Sequence, residues 1–168
     1  MDNISFSRDV CPWCGRKREK HFNYQHCDKT ARFIAKNNIL DNKEKRYEWF
    51  KVETEVTMEF LSEYWEMKCG KLRSQFKKDF IPSVLQFYNS KGYVSKKQLE
   101  IAKNIISNKK SVYQSDEDWH RGNELEESIE KAHIHMIDEE VKNVKYDEAQ
   151  FKEKYKLVDW LLKNNKIL

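Results

Sequence analysis

The chain has 168 residues, with 32 Lys and Arg against 28 Asp and Glu for a formal net charge of +4, and it is 39% apolar and 36% charged. Four Gly and two Pro are too few for the tight turns of an all-β fold, and a 13% share of aromatic residues supplies enough large side chains to exclude wholesale disorder. No stretch approaches the roughly 20 apolar residues that span a bilayer, and Met1-Asp2-Asn3-Ile4-Ser5 lacks the basic and apolar regions of a signal peptide. The expected setting is therefore the cytoplasm, that of a host cell included, with no membrane partner.

In chain order, the spacing predicts a short helix over 28–38, with Phe33 and Ile34 apolar and Asn37-Asn38 as its stop. Asp41-Asn42-Lys43-Glu44 matches a capping box. The helix behind it carries Tyr47, Phe50, Val56, Phe60, Leu61, Tyr64 and Met67 near a period of about 3.6 and ends at Gly70. Leu72, Phe76, Phe80, Val84 and Phe87 keep helical spacing, with Pro82 either starting a new helix or kinking this one. After a turn at Lys91-Gly92-Tyr93-Val94, Ser95-Lys96-Lys97-Gln98 forms another capping box, opening a helix with Leu99, Ala102, Ile105 and Ile106 inward. The polar residues 108–122, with Asp116-Glu117-Asp118 and Gly122, read as the longest loop. Two last helices carry Leu125, Ile129, Ala132, Met136 and Val141, then Phe151, Tyr155, Val158, Leu161 and Leu162. The expectation is an all-α protein: a helical domain over 41–168 behind a small zinc-knuckle module at 1–40.

That module rests on Cys11-Pro12-Trp13-Cys14-Gly15, a knuckle that aims two thiolates at one ion. The four cysteines, in a reducing compartment, read as metal ligands before disulfides. Twelve residues separate Cys14 from Cys27, a spacing familiar between the ligand pairs of short zinc fingers. His21 or Cys69 completes the tetrahedron, with His26 behind them because it adjoins Cys27. With every position filled, the zinc would be structural and would supply folding free energy to a module too small for a core of its own.

Charge is segmented: +4 over 1–40, −3 over 41–70, +8 over 71–110 and −5 over 111–168. These blocks either neutralise one another inside the domain or present a basic face to phosphates or an acidic protein. Arg16, Lys17, Arg18 and Lys20, followed by Phe22 and Tyr24, interleave cations with aromatics as a phosphate backbone with stacked bases requires. In the second basic block, the helix opening at Ser95 would expose Lys96, Lys97, Lys103 and Asn104 in the manner of a helix–turn–helix. His120, His133 and His135, near Asp116, Asp118 and Glu124, form no metal-hydrolase pattern, since His133 and His135 fall about 200° apart on a helix. No phosphate loop or nucleophile elbow occurs, so no residue set argues for an enzyme or a small-molecule substrate.

The knuckle occurs together with Phe80-Ile81-Pro82-Ser83 and Lys91-Gly92-Tyr93-Val94-Ser95-Lys96-Lys97-Gln98. The latter pair is similar to a Phe-x2-Ser … Gly-x-Leu-Ser-x-Lys-Gln helical segment of assorted small phage-type and replication-associated proteins, with Val94 in place of the usual Leu. The resemblance implies a viral or mobile-element setting and carries over no catalytic residue. Two functions are expected from these observations. One is a small zinc-containing accessory protein binding nucleic acid through a basic surface. The other is a non-enzymatic regulator or inhibitor of a host protein complex, for which Trp49, Trp65 and Trp119 would supply aromatics beyond the needs of one core.

Overall fold

The structure, a computed structural model, describes residues 24–144 and 148–164. Among them the protein is all-α, with helices α1 (Tyr24–Asp41), α2 (Lys43–Lys68), α3 (Gln75–Lys91), α4 (Lys96–Ser107), α5 (Asp116–Val141) and α6 (Glu148–Lys163). None of these helices is long and apolar enough to cross a membrane. The chain divides into two compact units, Glu44–His135 and the pair of segments Met1–Lys43 and Met136–Leu168.

In the Glu44–His135 unit, α2 contributes Met58, Leu61 and Tyr64 to one apolar core, α3 Ile81 and Val84, α4 Ala102, Ile105 and Ile106, and α5 Leu125. Leu61, Ile81 and Ile106 are fully buried. The hydroxyls of Thr54 and Thr57, also buried on α2, donate to the carbonyls of Phe50 and Glu53, each at 2.8 Å, so burial leaves neither without a partner. Trp49 is buried and Trp65 packs against the core, whereas Trp119 is half exposed. In the other unit α1 packs on α6, and Cys27 and Ile34 of α1 meet Val144 and Tyr155. The sequence places a boundary after residue 40; the compact division falls after Lys43, and the C-terminal helix sits with the N-terminal one.

Several elements differ from the sequence expectation. The α1 helix does not stop at Asn37-Asn38 but runs to Asp41. Ala31, Ala35 and Ile39, one turn apart, are buried on its inner face, and that burial outweighs the weak helix preference of two asparagines. Asp41 thus lies inside α1, and Asn42 alone separates it from α2. Pro82 neither starts a helix nor ends one: α3 continues through it, with its ring exposed. The largest correction concerns 108–122, where the loop ends at Ser115 and Asp116–Gly122 already belong to α5. Asp116, Glu117 and Asp118 occupy the first turn of that helix, where its dipole favours negative charge. Ser115 and Asp118 exchange hydrogen bonds there: the Asp118 amide donates to the Ser115 hydroxyl at 3.2 Å, and the Ser115 amide to the Asp118 carboxylate at 3.4 Å.

Candidate nucleic-acid interface

The basic block is organised by the α3–α4 hairpin. Gly92 ends α3 with φ of 78°, and its amide donates to the Tyr88 carbonyl at 2.7 Å. A Cβ there would meet nothing within 4 Å, so this glycine answers to the left-handed backbone and not to crowding. Val94 tucks against the core. The capping box at Ser95 forms as its sequence requires: the Gln98 amide donates to the Ser95 hydroxyl at 3.1 Å, and the Ser95 amide to Gln98 Oε1 at 2.9 Å. With both ends of the turn held, Lys91, Tyr93, Lys96 and Lys97 are all exposed within one short stretch of the hairpin.

Tyr93 is 54% exposed, its ring edge-on to Phe87 at a centroid distance of 5.7 Å. The Lys96 ammonium lies 5.0 Å from the centre of the Phe50 ring, a cation–π contact that restrains the side chain without neutralising it. Among the described residues, Lys91, Lys96 and Lys97 have no ion-pair partner. Two other cations of the block serve within the fold. Lys103, expected to be exposed, is half-buried and paired with Glu53, and burial pulls its ammonium below the ordinary lysine pKa, with Glu126 opposing. Lys109 pairs with Glu126. The two readings of the +8 block therefore divide it: the middle of α4 is neutralised internally, and Lys91, Lys96 and Lys97 are not.

The far end of α4 is equally well held. Asn108 caps the helix at φ of 51°, its amide donating to the Asn104 carbonyl at 2.7 Å, and its side chain donates to Asp118 at 3.2 Å. Gln114 donates to the Ser107 carbonyl at 2.5 Å, and Arg121 pairs with Asp118 at 3.1 Å while lying 5.2 Å from the centre of the Tyr64 ring. Burial raises the Asp118 pKa, but hydrogen bonds from Asn108 and Ser115 and the Arg121 charge outweigh it, so the carboxyl titrates below its usual value. Gly122 lets α5 approach this end, because a Cβ there would stand 2.7 Å from the Ser107 Cβ. The pinned connection displays Val112 and Tyr113 at 90% and 89% exposure, beside the exposed Lys109 and Lys110.

Of the remaining site residues read from the sequence, Cys11, Cys14, Arg16, Lys17, Arg18, Lys20, His21 and Phe22 lie outside the described residues. Tyr24 opens α1. Cys27 is buried, at 1% exposure, whereas Cys69 is exposed in the turn after α2. Among the described residues no three His, Cys, Asp or Glu side chains come together as a metal site. Two of the described histidines serve otherwise: His133 stacks on Trp49 at 3.6 Å between centroids, its Nε2 donating to the Trp49 carbonyl at 3.1 Å. His120 meets Trp119 edge-on.

A second surface carries the opposite charge. Between α2 and α3 runs a groove of about 360 Å³ lined by Glu55, Glu59, Glu63 and Glu66, with Met58, Leu85 and Tyr88 as its apolar members. The glutamates recur at helical spacing along α2, giving one acidic edge. Burial raises the Tyr88 pKa, Glu55 adds to the shift and Lys51 offsets part of it.

No protein-family model matches the chain, and no curated protein or solved structure does so either.

Proposed function

We propose that the chain is a small zinc-containing accessory protein that binds nucleic acid through a basic surface. The observation that carries this reading is the α3–α4 hairpin, where Lys91, Lys96 and Lys97 are exposed, have no ion-pair partner among the described residues, and fall close in the chain to the exposed Tyr93. In sequence, Arg16, Lys17, Arg18 and Lys20 with Phe22 and Tyr24 add a second interleaving of cations and aromatics. Cys11, Cys14 and Cys27, with His21 or Cys69, would hold a structural zinc; the burial of Cys27 suits a ligand kept from solvent. The likeness of the Phe80–Ser83 and Lys91–Gln98 segments to phage-type proteins supports a viral or mobile-element setting. Gel shifts test the binding: affinity should fall steeply with salt, and Lys96→Ala with Lys97→Ala should weaken it and flatten the salt slope by about one unit per lost phosphate contact. Absence of binding to both DNA and RNA at about 50 mM salt overturns it. Zinc content of protein purified without chelator tests the metal, since a structural site that binds by roughly 10–16 kcal/mol stays occupied.

The acidic groove between α2 and α3 favours a second reading, a regulator that binds a basic segment of a host protein complex. A stoichiometric partner that survives nuclease and high salt in a pulldown, and is lost in Glu59→Lys with Glu63→Lys, would select it over the first.

A further inference from the structure

We propose that the ligand of the hairpin surface is single-stranded nucleic acid, its bases stacking on Tyr93 and Tyr113 while its phosphates follow the lysines at the two ends of α4. This deepens the nucleic-acid reading and rests on it. The two tyrosines flank α4, Tyr93 three residues before Lys96 and Tyr113 six after Ser107, and α4 itself, at about 1.5 Å per residue, is roughly 18 Å long.

Their exposure is built in. Tyr93 follows a glycine cap, precedes a capping box and rests edge-on against Phe87, so its outer face is presented by a fixed turn. Tyr113 sits in a connection tied at Asn108, Gln114 and Ser115, and its amide donates to the Ser111 hydroxyl at 3.2 Å. An aromatic ring left in water at 89% exposure on a hydrogen-bonded loop forgoes the burial that its apolar area favours. Each ring also has exposed lysines near it in the chain, Lys91, Lys96 and Lys97 at one end and Lys110 at the other, where Lys109 is already paired with Glu126.

Cations that track a backbone, with aromatic faces between them, are the chemistry of single-strand binding. A duplex keeps its bases stacked on one another and offers these rings nothing to cover them. Glu100 lies on the exposed side of α4 between the two ends and opposes the phosphates, so its neutralisation gives a test of opposite sign.

Fluorescence anisotropy of the full chain with labelled oligothymidylate, oligouridylate and a duplex of equal length decides the matter. Either single strand should bind more tightly than the duplex. Tyr113→Ala and Tyr93→Leu should each weaken single-strand binding by about 5- to 150-fold without changing the salt slope, Tyr113→Phe and Tyr93→Phe should retain it, and Glu100→Gln should strengthen it. Tyr113 is nearly fully exposed, so its variant tests binding with the fold intact. Duplex bound as tightly as single strand, or Tyr113→Ala and Tyr93→Leu binding like the parent, overturns the single-strand inference and leaves nucleic-acid binding standing. No binding of any of the three probes overturns both.

Discussion

The two compact units use the same helical grammar to different depth. Glu44–His135 is one continuous stretch, in which four helices share a core and the α3–α4 and α4–α5 connections are held by capping hydrogen bonds. The other unit must bring α1 together with α6, more than 100 residues away in sequence, and its apolar cluster is built around Cys27 and Ile34. Loop closure over that separation costs entropy that neighbouring helices avoid. A staple such as zinc at Cys27 would help to offset that cost, whereas the exposed lysines and tyrosines of the hairpin belong to the continuous stretch.

The comparison can be broken at the core first. Ile106→Ala, at a fully buried position on α4, should cost about 2–5 kcal/mol in urea denaturation. Ile34→Ala should instead strip hydrogen-exchange protection from α1 and α6 and leave that of α3 and α4 in place; loss of protection across all four would show that the two units are not separately stabilised.

Asp118 is the next lever. Its folded pKa is depressed, so the stability it contributes is present above the unfolded carboxylate pKa and is lost as pH falls through the folded value. Melting temperature should drop below about pH 4, and Asp118→Asn should flatten that drop. At neutral pH Asp118→Ala should cost about 1.5–3 kcal/mol, the range for hydrogen bonds to a charged group.

Gly122→Ala tests the close approach of α5 to Ser107, with an expected cost of about 1–3 kcal/mol from overpacking. Adding Ser107→Gly removes the opposing Cβ and should recover part of that cost in a double-mutant cycle; strictly additive losses would mean that the two positions do not meet. The smallest effect is expected at Ser95→Ala, about 1 kcal/mol for a lost N-cap, read as a lower denaturation midpoint.

The capping box at Ser95 and the inward face of α4 were legible because a cap and an amphipathic stripe depend on residues within about four positions of one another. The start of α5 follows the same rule, although the sequence expectation places it in a loop. Ser115-Asp116-Glu117-Asp118 carries the pattern of a cap followed by acidic residues in a first turn, with Trp119 directly behind it, yet the polarity of residues 108–118 as a whole reads equally as loop. The exposure of Tyr93 and Tyr113 was not legible, because an aromatic beside a turn is compatible with either face until its neighbours are placed.

By itself, then, the sequence determined the all-α class, the hairpin at Gly92 and the register of α4. Helical periodicity and capping are local, and their hydrogen bonds are made between near neighbours in the chain. The tertiary structure decided which lysines of the +8 block are consumed, since the partner of Lys103 is Glu53 on another helix. It decided that Gly122 is a contact and not a break, and that Trp49 meets His133 from 84 residues away. It also brought the first described helix against the last. These outcomes depend on which helices pack together, and no single amphipathic face specifies the face it will meet.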